Sequence, residues 1–237
     1  MIKKILLASV LLVAGLSLLF FSVVMPEISK YTGNNPTLWE PDIAQLEANT
    51  ALLNKHNERV LFVGSSSIRL WRTLADDMSP LTIIQHGFGG ATINDVVHFS
   101  DRLINAFNPR AVVIFAGTND ITPRKVRPAT EMLAAYQRLV KNIRQDLPSA
   151  PIIFIAITPS PHRWSVWPQA SETNRLLSDF INSQDNLYLV DTSSGLLNSG
   201  GKPDKSFYRL DGLHLSAKGY AVWAKRVKAE LFKHIQP

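Results

Sequence analysis

The chain has 237 residues, of which 46% are hydrophobic and 19% charged, a balance that predicts a packed globular domain and argues against global disorder. It contains no cysteine, which excludes disulfides, thiolate metal sites and cysteine nucleophiles. The net charge of +6 indicates either a solvated basic face or attraction to anionic lipid or an acidic polymer. Nucleic-acid binding is not expected, because no recognition motif accompanies the basic residues.

An apolar run lies near the beginning of the chain. Residues 5–25 carry no charge, and a helix of that length spans roughly 30 Å, about one hydrocarbon core. Lys3 and Lys4 precede the run and Glu27 follows it, so the positive-inside rule predicts that the remainder is exported. We therefore expect an uncleaved transmembrane anchor over residues 1–25, with a periplasmic or extracellular domain. A signal peptide removed after export is the alternative.

A linker and a leading helix follow over residues 26–57. Turn residues dominate positions 31–36, and helical apolar spacing extends over residues 41–53. The globular domain is expected over residues 58–237.

Five short apolar runs alternate with amphipathic stretches in that domain. The runs predict strands at residues 60–63, 81–84, 111–116, 151–156 and 187–190, and the stretches predict helices at 67–75, 93–106, 129–145, 170–181 and 217–235. Strands that are apolar on both faces imply a parallel sheet covered on two sides. The predicted fold is α/β, a doubly wound five-stranded parallel sheet with helices on both faces. Sites in such folds lie at the carboxyl ends of the strands.

Four polar or glycine-rich segments follow the predicted strands and converge on one rim of the sheet. They are Gly64 to Ser67, Gly87 to Thr92, Gly117 to Asp120, and, after an intervening loop, Asp211 to His214. Each segment alone would be explained as a helix cap or a turn. Asp211 and His214, however, have the spacing of an acid that orients a base, and such a pair can activate a serine. The joint occurrence of all four segments at the strand ends predicts a hydrolytic site.

The four segments resemble the motif blocks of the SGNH hydrolase superfamily, also called GDSL-type esterases and lipases, over about residues 58–235. The resemblance implies a flavodoxin-like SGNH hydrolase fold and a catalytic triad of Ser66, Asp211 and His214. It implies an oxyanion hole formed by the backbone N–H groups of Ser66 and Gly90 and the side-chain amide of Asn119. The implied activity is a serine esterase or acylhydrolase that needs no metal or cofactor and acts on a lipid or an acetylated carbohydrate.

One position departs from that resemblance. Ser65 stands where the family has an aspartate before the nucleophile, so Ser65 and Ser67 remain alternatives to Ser66. His86 follows the second strand without an acid at useful spacing. The segment containing His162, Trp164 and Trp167 either lines the substrate pocket or packs over the sheet.

Two other functions compete with hydrolysis. A flavodoxin-like binding protein would cradle a phosphate at the three serines, but this function leaves Asp211 and His214 without a role. An inactive member of the family, kept for contact with a partner, is the third possibility. The sequence does not predict the oligomeric state.

Overall fold

The computed structural model describes residues 12–25, 29–30, 35–50 and 58–236. The chain divides into two compact units, Met1–Asp42 and Ile43–Pro237. In the first unit, residues 12–25 are helical and include a π-helical stretch at Phe20–Val24. Asn35 caps the 3-10 helix Pro36–Trp39 by accepting the N–H of Thr37. Helix α1 (Glu40–Thr50) follows.

The predicted transmembrane helix is wrong. Within the ranges that the structure describes, no helix combines the length and apolar character needed to cross a membrane. Residues 1–11 of the predicted anchor lie outside the described residues. The membrane partner inferred from this helix therefore has no support, whereas export after signal cleavage stays a prediction.

The second unit is built on a five-stranded parallel sheet with the order β2-β1-β3-β6-β7. In chain order the strands are β1 (Arg59–Gly64), β2 (Thr82–Gly87), β3 (Ala111–Phe115), β4 (Ile121–Thr122), β5 (Lys125–Val126), β6 (Ile152–Ile155) and β7 (Leu187–Val190). Strands β4 and β5 form a separate antiparallel hairpin, which the sequence did not predict. The predicted five-stranded parallel sheet is confirmed, and its strand order is that of a doubly wound fold.

Seven α-helices accompany these strands in the described part of the second unit after residue 58. They are α2 (Ser66–Arg69), α3 (Leu74–Met78), α4 (Ile93–His98), α5 (Ser100–Leu103), α6 (Ala129–Asp146), α7 (Trp167–Ile181) and α8 (Ala217–His234). The 3-10 helices in this region are Asn105–Phe107, Pro161–Val166, Ser193–Leu196 and Lys205–Phe207.

Aromatic side chains fill the core on one face of the sheet. Trp71, which lies between α2 and α3, is fully buried and packs on Phe62 of β1, with ring centroids 5.9 Å apart. Trp223 of α8 contacts Phe115 of β3 at 4.6 Å. Because strand side chains alternate between faces, these residues place α8 and the connection after β1 on the same side.

The opposite face is covered by α6. Tyr136 of this helix lies 5.5 Å from the ring of Phe154 in β6 and donates its hydroxyl to the carbonyl of Ala116. Helices therefore cover both faces of the sheet. The chain leaves β1 towards β2 on one side and reaches β3 on the other, so the topological switch point lies between β1 and β3.

Candidate active site

Ser66 is positioned by a close approach of the first and third strands. Gly64 at the end of β1 has a φ of +145°, and a Cβ built there would lie 1.9 Å from the carbonyl oxygen of Phe115. The N–H of Ser65 donates to that same carbonyl at 2.9 Å, which extends the pairing by one residue. Ser66 then begins the single-turn helix α2. The glycine thus holds the serine at the switch point.

Asp211 and His214 lie in a tight turn that is closed by backbone hydrogen bonds. The Oδ1 atom of Asp211 accepts the N–H groups of Leu213 at 2.9 Å and His214 at 3.0 Å. Gly212 makes the turn possible with a φ of +64°. The N–H of Arg209 donates to the carbonyl of His214 at 2.8 Å. These hydrogen bonds fix the conformation of the turn from which the side chains of Asp211 and His214 project.

A chain of two hydrogen bonds connects the serine to the acid. The Oδ2 atom of Asp211 lies 2.7 Å from Nδ1 of His214, and Nε2 of the same ring lies 2.9 Å from Oγ of Ser66. Burial raises the pKa of the Asp211 carboxyl, but hydrogen bonds from the His214 ring and from the turn backbone outweigh it and lower this pKa to about 2. An ionised carboxylate only accepts, so we assign the proton to Nδ1 and leave Nε2 as the acceptor for the Ser66 hydroxyl.

The three consecutive serines have different surroundings. Among the described side-chain hydrogen bonds of the three serines, Ser66 alone is bonded to His214. Ser65 is buried, and its carbonyl accepts the N–H groups of Ile68 and Arg69. The carbonyl of Ser67 accepts the hydroxyl of Tyr220 at 2.8 Å. The geometry thus distinguishes Ser66 from its two neighbours.

Asn119 lines the same small pocket as Ser66 and His214. One N–H of its amide donates to the carbonyl of Ala91 at 3.0 Å, so this side chain links the end of β3 to the glycine-rich segment after β2. Gly90, the residue before Ala91, has a φ of +74°. It is not among the described residues that line this pocket. The hydrogen bond from Asn119 to Ala91 therefore connects Gly90 to the site only indirectly.

A family model described as the GDSL-like lipase/acylhydrolase family matches residues 62–222, which include all four segments. The chain belongs to the GDSL-like lipase/acylhydrolase family. The resemblance stated from the sequence is thereby confirmed, and the protein is a hydrolase of this family. No curated protein matches the chain.

Several solved structures share the fold of this GDSL-like hydrolase. A GDSL-like lipase from Bacteroides thetaiotaomicron has a TM-score of 0.71 and 18% identity, covering 82% of this chain and 98% of its own. A carbohydrate esterase of family 3 from Talaromyces cellulolyticus has a TM-score of 0.60 and 18% identity, covering 74% and 96%. An acetyl-xylooligosaccharide esterase from Geobacillus Stearmophilus has a TM-score of 0.60 and 18% identity, covering 73% and 94%.

Asp120 of the GDSL-like hydrolase has a structural position that the sequence did not reveal. Its buried carboxylate accepts the N–H of Ile93 at 2.9 Å and the guanidinium of Arg127 at 2.6 Å. Burial raises the pKa of Asp120 to about 6, although the Ile93 N–H and Arg127 lower it. Ile93 is the first residue of α4 and directly follows the segment that contains Gly90. The Asp120 carboxylate therefore links the Asn119 segment to the Gly90 segment.

The His162 segment is attached to the turn that carries His214. The N–H of His162 donates to the carbonyl of Gly212 at 2.9 Å, and Tyr208 donates its hydroxyl to the carbonyl of Pro159. The residues just before it, Thr158 to Ser160, line the Ser66 pocket. Trp164 and Trp167 stack on each other with ring centroids 6.3 Å apart. The segment after β6 therefore forms part of the pocket wall.

His86 lies away from the site. Its ring is fully buried, Nδ1 is 2.8 Å from the carbonyl of Leu103, and Phe107 packs against it at 4.8 Å. Burial lowers the pKa of His86, which favours a neutral core imidazole. The sequence could not distinguish this placement from one at the rim, because β2 extends three residues beyond its predicted end.

Proposed function

We propose that this hydrolase is a serine esterase that cleaves a carboxylic ester through an acyl-serine intermediate. The observation that carries the proposal is the chain of hydrogen bonds from Ser66 Oγ to His214 Nε2 at 2.9 Å and from His214 Nδ1 to Asp211 Oδ2 at 2.7 Å. A serine hydroxyl is a weak nucleophile at neutral pH and needs such a base within hydrogen-bond reach.

The proposed reaction has two half-reactions. Ser66 Oγ attacks the ester carbonyl carbon while His214 Nε2 takes the hydroxyl proton. The imidazolium then gives that proton to the leaving alcohol as the carbon–oxygen bond breaks, and an acyl-serine remains. Water repeats the attack with the same base and releases the acid. Asp211, which stays ionised at neutral pH, holds the ring and stabilises the imidazolium.

Two donors that line the pocket support stabilisation of the tetrahedral oxyanion, the backbone N–H of Ser66 and the side-chain amide of Asn119. The family resemblance adds the N–H of Gly90, a residue that does not line the pocket. Among the described residues, the backbone N–H groups of Ser66 and Gly90 have no hydrogen-bond acceptor. The amide of Asn119 uses one N–H on Ala91, which leaves its second N–H for the substrate. Because α2 is one turn long, we attribute the stabilisation to these individual N–H groups rather than to a helix dipole. One such donor contributes about 3 kcal/mol to the transition state.

The size of the pocket supports a short acyl group. The pocket beside Ser66 has a volume of about 20 Å³, enough for roughly one water-sized group. Its walls include Phe115, Tyr208 and Trp223, all buried in the core. Of the two substrate classes, an acetylated carbohydrate suits this pocket better than a long-chain lipid. The acetyl-xylooligosaccharide esterase with a similar fold acts on an acetyl ester, as its name states.

Covalent labelling tests the mechanism. We expect a fluorophosphonate to modify the purified full-length protein, with peptide mapping placing the adduct on Ser66. A Ser66→Ala variant is the matched control, since Ser65 and Ser67 remain present. Modification at either neighbouring serine, or no modification of a folded and ester-active protein, would contradict the assignment.

A comparison of acyl chain lengths tests the substrate class. We expect p-nitrophenyl acetate to be hydrolysed with a kcat/KM at least about 100-fold above that of p-nitrophenyl octanoate, because the proposed acyl pocket beside Ser66 is small. Equal or higher values for the octanoate would contradict the short acyl group and leave the acyl-serine mechanism standing.

A further inference from the structure

A second cleft adjoins the turn that carries Asp211 and His214. Its volume is about 420 Å³, which is in the range of small-molecule sites. The lining residues on which the inference depends are Pro161, His162, Lys205, Arg209, Asp211 and Gly212. Tyr208 lines both this cleft and the Ser66 pocket, so the two cavities share a wall. The cleft is therefore adjacent to the pocket that contains Ser66.

Two distant parts of the chain hold the cleft together. The N–H of His162 donates to Gly212, and the N–H of Arg209 donates to His214, each through a backbone carbonyl. The hydroxyl of Tyr208 donates to Pro159. The walls of the cleft are thus fixed to the same turn that positions the proposed base, and a group bound there has a defined position relative to Ser66.

The cleft carries two cations without a carboxylate partner. Within the described ranges, neither Lys205 nor Arg209 forms an ion pair, and the Arg209 Nε atom donates to the carbonyl of Leu215 at 3.2 Å. The carboxylate in the lining, Asp211, is already engaged by the His214 ring and by two backbone N–H groups. Lys205 and Arg209 contribute two positive charges and Asp211 one negative charge, so these three residues leave the lining of the cleft with a net positive charge.

We propose that this cleft binds an oxyanion group, a carboxylate or a phosphate, on the alcohol half of the ester substrate. The proposal rests on the proposed esterase function. A guanidinium presents a planar fork of donors that matches carboxylate and phosphate oxygens, and an ammonium adds a point charge. The substrate class is then a short acyl ester of an anionic alcohol.

Three acetate esters of one phenol scaffold test the proposal. These are methyl 4-acetoxybenzoate as the neutral reference, 4-acetoxybenzoate for the carboxylate and 4-acetoxyphenyl phosphate for the phosphate. We compare the full-length wild type with the Lys205→Gln/Arg209→Gln variant by following release of the phenol. We expect the ratio of kcat/KM for an anionic ester to that for the neutral ester to fall about tenfold or more in the variant. The anionic ester with the larger fall identifies the preferred oxyanion.

A variant with the same change in charge elsewhere provides the control. Lys141→Gln/Lys225→Gln removes two exposed cations from α6 and α8, and we expect the ratio to stay as in the wild type. A ratio unchanged in the Lys205→Gln/Arg209→Gln variant, or lowered equally in the control, would overturn the anion site. Hydrolysis of none of the three esters by the wild type would instead overturn the esterase function, and the anion site with it.

Discussion

In the proposed mechanism Ser66 and His214 act as one functional unit, because their side chains are hydrogen-bonded at 2.9 Å. Replacing either with alanine removes the activated nucleophile, so we expect Ser66→Ala and His214→Ala each to lower kcat by at least about 10⁴-fold. The fall in kcat of the double variant should be no larger than that of either single variant, because either substitution alone already removes the activated nucleophile. Steady-state hydrolysis of p-nitrophenyl acetate measures all three. Losses that multiply in the double variant would show that the residues act independently.

Asn119 is expected to act in the transition state rather than in substrate binding. One N–H of its amide donates to the carbonyl of Ala91, and the second N–H is available to the oxyanion of the transition state. Asn119→Ala should therefore lower kcat by roughly 10²- to 10³-fold with a small change in KM.

Asn94→Ala is the matched control for that variant, since this exposed amide contacts Arg138 instead. A change in KM alone after Asn119→Ala would place the amide in ground-state binding.

The residues that meet in the site differ in how far the sequence predicts them. Asp211 and His214 are three positions apart, so their contact follows from local spacing. Asn119 and Ser66 follow strand ends, which a parallel sheet brings together. Tyr208 and Trp223 also line the pocket, but their apolar rings have no local pattern that distinguishes them from core residues. Only the packing of separate elements identifies them.

At the scale of elements, the pairing of β1 with β3 depends on a glycine. In Gly64→Ala the new methyl group would overlap the carbonyl oxygen of Phe115, and the φ of +145° is unfavourable for alanine. We expect a loss of about 3 kcal/mol or more in the free energy of unfolding, measured by urea denaturation.

Gly201→Ala separates the two causes of that loss. Gly201 also has a positive φ, +71°, but no atom lies within 4 Å of a Cβ built there. This control should lose about 1 kcal/mol, the cost of the backbone conformation alone. Equal losses in both variants would remove the steric argument.

The elements themselves were predictable to different degrees. The five strands of the sheet are continuous apolar runs, and each was placed within a few residues. The helix predicted at 67–75 is instead divided into α2 and α3, because Trp71 leaves the helical path and packs between Phe62 and Tyr220. The hairpin of β4 and β5 has two-residue strands, too short for any periodicity to show.

At the scale of the whole molecule, the buried Asp120 makes stability depend on pH. Its pKa is about 6 in the folded protein and near 4 in an unfolded chain, so the folded state holds the proton longer. The stability that this proton provides is fully present below about pH 4 and is lost as pH rises through about 6, a change of up to about 3 kcal/mol.

Comparison with Asp120→Asn isolates this contribution, because the amide does not titrate. We expect the free energy of unfolding of the wild type, relative to the variant, to fall between pH 4 and pH 6.5 in chemical denaturation. A difference that stays constant or grows over this interval would show that Asp120 is not the group responsible.

The distance along the chain between Ser66 and His214, 148 residues, has a consequence for biosynthesis. At about 5–20 residues per second, the ribosome needs roughly 7–30 s to add the imidazole after the hydroxyl has been made. The turn that carries His214 is also held by Tyr208, Gly212 and the Pro159 segment, and Trp223 of the last described helix completes the pocket. A nascent chain therefore carries Ser66 as an ordinary alcohol, and we expect the proposed esterase activity to begin only when α8 has been translated and packed.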